Sequence, residues 1–590
     1  MSTFIRLTDY KSSDEKEEGF FKAKNRYVAK QEDFEKIPMT PIAFWMSKST
    51  WKLFKENQIL DNFTSVKRGP SVESNQKYIR RWSELNKNSI TINVNNINNI
   101  NFDTAKWFLC NKTGGSEKWY AKTEDALLFV ENNSLINISN KSLMLKESIV
   151  WSDGKFGSNK FAARLLNQFQ TLESTVNFIQ TNELIKILGY LNCKVAEYFL
   201  NITIEGQHFS PIYVKNIPFN NLTLSSNYIN VIQECIDISK EEWDSRETSW
   251  DFKTNELIRF AREIAASSST PRNDIKLETV YNRYCEYWRE KFYKLHKNEE
   301  ELNRLFIDIY ELNEELTPDL DLKDITILKS ESIINDNNEL EFRADEIMKQ
   351  FISYGVGVLF GRYNLDHEGL HVANMHQSLE DANVSFDISI PSFEADEDNI
   401  IPVLEDDYFK DDITARFIQF VKVAFGEESL HVNVRFIENA LGMSLRKYFV
   451  KGFYEDHIKR YKKRPIYWMV SSPKKGFMSL SYMHRYESDL FGRVRNSYLG
   501  EYITKLEAHK ESLEHTINSS SATDKDKKDA DKRIKEIEVK LKELIAFDRE
   551  KMMHFAQQHT DIDLDDGVKV NYTKFQDILF PIAGLSDEEK

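Results

Sequence analysis

From Leu277 to Leu312 the chain runs LETVYNRYCEYWREKFYKLHKNEEELNRLFIDIYEL, 36 residues without a glycine or proline. Such a stretch has few alternatives to a long helix, because the residues that most readily interrupt one are missing. Leu302, Leu305, Phe306 and Ile309 share one face of that helix, so other parts of the chain must cover it. Thr317-Pro318 is the predicted stop. Material for the cover is plentiful: 41% of the 590 residues are hydrophobic, with 39 Phe, 25 Tyr and 10 Trp. That bulk excludes a disordered chain, and 20 Gly with 12 Pro exclude collagen-like and low-complexity classes. At about 100–200 residues per domain the length predicts three to five domains.

Elsewhere the periodicity alternates between strand and helix. SITINVNNINNINF (89–102) alternates Ile and Val with polar residues and reads as strand and turn. ELIKILGYLNCKVAEYFL (183–200) sets Leu184, Ile187, Leu188, Leu191, Val195 and Phe199 in one helical stripe. FEKIPMTPIAFWMS (34–47) reads as a short extended segment buried against a neighbour. Residues 342–363 form a predicted helix and turn, and GVGVLFG (355–361) within them reads as a closely packed helix end. Its spacing does not fit a dinucleotide loop. Residues 499–547 read as an antiparallel helical hairpin: Tyr502, Leu506, Leu513 and Ile517 stripe one arm, Ile534, Ile537, Leu541 and Leu544 the other, with a polar tip at 518–531. The expected fold class is mixed α/β (α+β), with a strand-and-helix domain followed by a largely helical C-terminal region.

No window approaches the 18 or so apolar residues of a membrane helix, and the first twenty residues lack a signal-peptide core. Cys110, Cys193, Cys235 and Cys285 are spaced 83, 42 and 50 residues apart, which offers neither a zinc knuckle nor a disulfide framework. A soluble cytoplasmic protein is expected. The net charge of −15 opposes a uniformly basic surface, but the charge is unevenly spread. Leu445–Asn496 holds 13 Lys/Arg against 4 Asp/Glu, while Glu380–Asp412 holds 12 acidic residues against one lysine. Such asymmetry points to local binding surfaces.

HEGLH (367–371) matches the two-histidine zinc-peptidase string, which works when both histidines share a helical face. Here Gly369 interrupts it and GRYNLD precedes it as a turn, so it reads as coincidence. HFAQQH (554–559) spaces its histidines five apart and reads as a solvent-facing helix. Three basic stretches carry aromatics. Lys67, Arg68, Lys77, Arg80 and Arg81 interleave with Tyr78 and Trp82; Lys118, Trp119 and Tyr120 follow Gly114-Gly115; Lys459, Arg460, Lys462, Lys463 and Arg464 precede Tyr467 and Trp468. Cationic groups and turn amides grip phosphates while flat rings stack on bases, so the Lys and Arg residues named, with Tyr78, Trp82, Trp119 and Tyr120, are the candidate DNA contacts.

The order FEKIPMTPIAFWMS, KYIRRWSEL (77–85), KTGGSEKWYAK (112–122) and LGYLNCKVAEYFL (188–200) resembles the target-recognition half of large adenine-specific DNA methyltransferases. EEWDSRETSWDF (241–252), FISYGVGVLFGRYNLDHEGL (351–370), YKKRPIYWMVSS (461–472), YMHRY (482–486) and LDDGVKVNYTKF (564–575) narrow the resemblance to the BREX phage-defence family known as PglX. The family's catalytic motif, [N/D/S]PP[Y/F/W], needs adjacent prolines, and none of the 12 prolines here are adjacent. The resemblance therefore implies a DNA-binding specificity half without a complete Rossmann-like methyltransferase domain. It implies S-adenosylmethionine for the complete enzyme, with no cofactor, metal or catalytic residue held by this chain. Its implied partners are double-stranded DNA, a catalytic methyltransferase half and other BREX proteins. The corresponding division is 1–50 connector, 51–222 recognition domain, 223–345 helical domain, 346–498 α-rich domain, 499–547 hairpin and 548–590 C-terminal segment. Ile37, Pro38, Pro41, Ile42, Phe44 and Trp45 would dock the catalytic half. A self-sufficient methyltransferase, an inactive remnant and a zinc peptidase resting on HEGLH are the alternative readings.

Overall fold

In the computed structural model the described residues are 2–8, 10–22, 25–35, 37–69, 71–72, 75–92, 106–112, 115–129, 136–137, 145–154, 160–172, 175–204, 206, 208–221, 223–267 and 275–585. Most of the alternating string at 89–102 lies outside them, as does Thr113-Gly114 of the predicted turn. The fold is mixed α/β. It divides into two compact units, one of Met1–Ile79, Thr91–Trp243 and Trp288–Glu341, the other of Arg80–Ile90, Asp244–Tyr287 and Phe342–Lys590.

The first unit begins with strand β1 (Ser2–Ile5), helix α1 (Ser13–Lys22) and strand β2 (Arg26–Ala29), the two strands pairing antiparallel. FEKIPMTPIAFWMS folds onto this pair: the Phe44 ring stacks on Phe4 at 4.8 Å, and the Arg6 guanidinium lies 4.6 Å from the Trp45 ring. Further along come β3 (Ser65–Arg68), β4 (Trp107–Asn111), β5 (Trp119–Tyr120), β6 (Asp125–Leu128), β7 (Ser148–Ser152), β8 (Arg164–Leu166), β9 (Thr171–Leu172) and β10 (Val176–Gln180). One sheet has the order β3-β10-β7-β8-β5, so β3 is an edge strand; β4 pairs with β6 and β9. Ala121, Val150, Leu166, Leu172, Val176 and Phe178 form a core cluster.

The single stripe expected at 183–200 is divided between α2 (Leu184–Leu191) and α3 (Lys194–Thr203). The Asn192 amide binds both the N–H and the carbonyl of Ala163 at 2.9 Å, and Cys193 turns extended, so the helix restarts. The long Gly/Pro-free string is helix α4 (Leu277–Ile309). From Trp288 onward it buries Phe292, Leu295, Leu302 and Phe306 in the first unit. It ends well before Pro318, because Glu311 adopts φ 53° and the Leu312 N–H closes back on the Ile307 carbonyl.

In the second unit α5 (Ala344–Leu359) carries the GVGVLFG string as its C-terminal part. A Cβ on Gly355 would meet Phe417 at 2.6 Å and one on Gly357 would meet Tyr363 at 2.5 Å, so close packing requires both glycines. Helix α6 (Tyr454–Arg460) lies in the chain between the first and second strands of a small antiparallel sheet, in which β11 (Ile401–Pro402) and β12 (Tyr467–Ser471) flank β13 (Met478–Tyr482). The hairpin is α7 (Gly500–Asn518) and α8 (Asp524–Phe547), joined across by Lys510–Glu538 at 2.7 Å. Its tip is shorter than the polar sequence predicts, because Thr523 and Asp526 form a capping box that restarts the helix. A short helix, α9 (Gly567–Thr573), follows. Among the described residues no helix is long and apolar enough to cross a membrane.

The acidic segment before β11 is partly interior. Asp396 is 8% exposed and accepts a bond from the Ile400 N–H at 3.0 Å. Burial, then the adjacent Asp398 charge, push its carboxyl up to about 7. Ionisation is thus easier in the unfolded chain, and the native advantage present at acid pH is lost as pH rises from near 4 to near 7. Asp396→Asn, whose amide oxygen still accepts from Ile400, is expected to raise the urea midpoint of this unit at pH 8 and leave it unchanged at pH 4. An equal shift at both pH values would refute this.

Candidate nucleic-acid interface

The basic string YKKRP sits where α6 ends. Pro465 forbids continuation, and no glycine is present to close the helix, so Lys462 and Lys463 themselves take the left-handed conformation with φ 49° and 61°. The Lys463 N–H returns to the Ile458 carbonyl at 2.8 Å and the Arg464 N–H to the Tyr461 carbonyl at 2.9 Å. Two consecutive side-chain-bearing residues in this region cost about 1–3 kcal/mol each, a strain that concentrates at functional sites. Both lysines are exposed, as is Lys459 in the last helical turn.

Within the same unit the structure brings Arg80 to this turn. Its Nε donates to the Asp565 carbonyl at 3.2 Å, and its side chain fills the space a Cβ would need on Gly567, where φ is 77°. Only glycine allows both the backbone turn and the close approach. Burial lowers the Arg80 pKa, Glu84, Asp566 and Asp565 oppose the shift, and the positive charge of Arg464 adds to it. The Lys463 ammonium reaches the surface at Gly584. Glu84, 1% exposed, holds the geometry: one oxygen accepts the Arg81 N–H at 2.9 Å and the other the Val568 N–H at 2.6 Å. Glu84, Gly567 and Gly584 went unrecognised as site residues in the sequence, although Glu84 and Gly567 lie within the strings KYIRRWSEL and LDDGVKVNYTKF. Arg460 is turned inward, its Nη1 3.7 Å from the Glu247 carboxylate. Trp82 is also interior, its indole N–H donating to the Thr248 carbonyl at 2.9 Å.

In the first unit Lys67 and Arg68 are exposed on edge strand β3, with Arg68 3.9 Å from Asp153. Lys77 is exposed and its ammonium lies 5.2 Å from the Tyr78 ring, which is itself buried. Trp119 and Tyr120 are buried and Lys118 is half-buried, its ammonium paired internally. Glu299 accepts from the Lys118 ammonium on one oxygen and from the Trp119 indole N–H on the other, each at 2.8 Å. Burial disfavours the Lys118 charge, but the Glu299 charge and hydrogen bond outweigh it and raise the pKa. Tyr120 is buried and its hydroxyl accepts from Asn167 at 2.9 Å. The rings of Tyr78, Trp82, Trp119 and Tyr120 are thus buried, and the Lys118 ammonium is held by Glu299. A cleft of about 370 Å³ beside Lys118 is lined by internally paired charges, Lys160 with Asp324 at 2.6 Å and Lys323 with Asp321 at 3.0 Å.

HEGLH is a turn, not a helix. His367 Nε2 and His371 Nδ1 lie 2.8 Å apart, His367 Nδ1 donates to the Glu368 carbonyl at 2.9 Å, and Phe386 stacks on the His367 ring. Burial, then the His367 charge, pull the His371 pKa down to about 4.

No protein-family profile matches the chain. It is 31% identical over 610 residues to the adenine-specific methyltransferase PglX of Lacticaseibacillus casei (strain Zhang), covering 98% of this chain and 48% of that protein. It is 30% identical over 590 residues to the adenine-specific methyltransferase BrxX of Escherichia coli O9:H4 (strain HS), covering 94% of this chain and 46% of that protein. The chain thus resembles the BREX methyltransferase family and spans about half the length of the curated relatives it matches.

Trp119→Phe keeps the ring but leaves Glu299 one donor short in a buried position, which costs about 1–3 kcal/mol. The expected result is a lower urea midpoint with unchanged DNA affinity; unchanged stability with weakened DNA binding would return Trp119 to the interface.

Proposed function

We propose that this chain is the DNA target-recognition part of a BREX-type, S-adenosylmethionine-dependent adenine-N6 DNA methyltransferase acting in phage defence, with catalysis supplied by a separate half. The observation that carries the reading is the match of nearly the whole chain to just under half of two adenine-specific methyltransferases, in a sequence with no adjacent prolines. Two places that resemble a cofactor site by their glycines or their cleft do not suit a nucleoside cofactor. The glycines at 355 and 357 are filled by aromatic neighbours, and the 370 Å³ cleft offers one aromatic ring, Phe161, among paired charges.

What the side chains can do is hold a nucleic-acid backbone. Lys459, Lys462, Lys463 and Arg464 project from a helix end and the turn after it, with Arg80 beside them as a buttress. Lys67, Arg68 and Lys77 offer a further basic set in the other unit. Phosphate contacts of this kind fix position and register, while sequence is read by groups that reach base edges.

Two measurements test the reading. Titration of the purified chain with S-adenosylmethionine is expected to give no heat; one-to-one binding would place a cofactor site in this chain. In gel shifts on duplex DNA, Lys463→Ala with Arg464→Ala is expected to weaken binding and to reduce the slope of log affinity against log salt by about 2. An unchanged slope would remove the turn from the interface.

A further inference from the structure

Among the described residues three lysines take the left-handed backbone conformation: Lys462, Lys463 and Lys475, the last with φ 60°. Lys475 lies in the turn SPKKG (472–476) between β12 and β13, at the other end of β12 from the turn after α6. The turn is held by its own hydrogen bonds and by α8. The Lys475 N–H donates to the Ser472 carbonyl at 2.9 Å, and the Phe477 N–H to the Ser472 hydroxyl at 3.0 Å. Glu543 of α8 accepts from the Lys474 N–H at 2.6 Å, and a Cβ on Gly476 would meet its other oxygen at 2.6 Å. That carboxylate is engaged by main chain, and among the described residues neither the Lys474 nor the Lys475 ammonium has a carboxylate within ion-pair distance. Both lysines are exposed, with the Lys475 ammonium 4.8 Å from the Phe580 ring.

One run of chain joins the two lysine turns. Residues 578–580 add to the edge of β12: the Ser471 N–H donates to the Ile578 carbonyl at 2.9 Å and the Phe580 N–H to the Met469 carbonyl at 2.8 Å. The chain continues through Pro581, Ile582 and Ala583 to Gly584, where the Lys463 ammonium lies. Lys475 thus marks one end of the run and Lys463 the other. ILFPIAG (578–584) contains no charged residue, and its Pro581, Ala583 and Gly584 are exposed. We infer that the turn 472–476 is a second phosphate-binding turn, and that the sugar–phosphate backbone of duplex DNA runs over 578–584 between it and the turn after α6. This rests on the proposed DNA-recognition role and extends the surface that performs it. A ligand with negative charge at regular intervals suits ammonium groups at both ends of an uncharged floor, and small side chains on that floor let a backbone approach. Phe580 and Gly584 are four residues apart, at most about 14 Å of chain. A DNA strand with a phosphate about every 3.4 Å along its axis therefore reaches both lysines within about six nucleotides.

The test is a gel shift of the full chain on duplex DNA across a salt series. Lys474→Gln with Lys475→Gln removes both charges and keeps a side-chain stem over Phe580. This variant is expected to keep the wild-type melting temperature, to bind more weakly, and to lower the slope of log affinity against log salt by about 2. Joined to Lys463→Ala with Arg464→Ala, it is expected to lower the slope by about 4. Lys525→Gln with Lys528→Gln removes the same charge from α8 at least about 22 Å along the helix from Glu543, and is expected to leave the slope at the wild-type value. An unchanged slope for Lys474→Gln with Lys475→Gln, or an equal fall for the α8 control, would overturn the second turn and leave the first in place. A wild-type chain that shifts no DNA at any salt would overturn the recognition role, and the second turn with it.

Discussion

A fully buried guanidinium organises the second unit. Arg362 follows the turn after α5 and is 1% exposed, yet its contacts are hydroxyls and ring faces, with no carboxylate among them. Nε donates to Tyr363 at 3.1 Å and Nη1 to Tyr482 at 3.2 Å, while the Trp82, Tyr363 and Tyr482 rings lie 5.4–5.9 Å from the charge. Taking such a charge out of water costs several kcal/mol, which polarisable faces and hydroxyl oxygens offset only when all are in place. The same charge, after burial itself, holds the His484 pKa down to about 3, so that ring stays neutral and its Nε2–H donates to the Leu85 carbonyl at 2.9 Å. Segment 80–90, α5 and β13 are thereby tied to one point.

Some of this was legible in the sequence and some was not, for identifiable reasons. The long helix, the hairpin and the packed end of α5 follow from periodicity and from where Gly and Pro fall. The break at Asn192 does not, because it depends on the backbone of Ala163, 29 residues earlier. The basic strings were visible as strings, but a count of charges does not distinguish a lysine that faces water from one that meets a buried carboxylate. Lys463 and Lys118 look alike in sequence and have opposite fates. Trp119 and Trp82 read as stacking platforms because aromatic residues beside lysines serve equally as core and as interface.

The turn after α6 joins local backbone chemistry to the proposed role. A helix that stops before proline normally closes through glycine, and here lysine occupies both left-handed positions. Glycine at 463 would relieve the backbone and delete a charge that reaches the surface. The arrangement is therefore one in which local stability and charge presentation oppose each other, the pattern seen where a site is maintained for what it contacts. Arg80 and Glu84 complete it from a distant part of the chain, anchoring the loop that opens α9.

That anchoring fixes an order of events during synthesis. Glu84 and the Val568 N–H it accepts are 484 residues apart. At about 5–20 residues per second, segment 80–90 leaves the ribosome roughly 25–100 s before its partner exists. Throughout that interval Trp82, Glu84 and Leu85 have no finished core to enter, so the second unit cannot close until nearly the whole chain has been made.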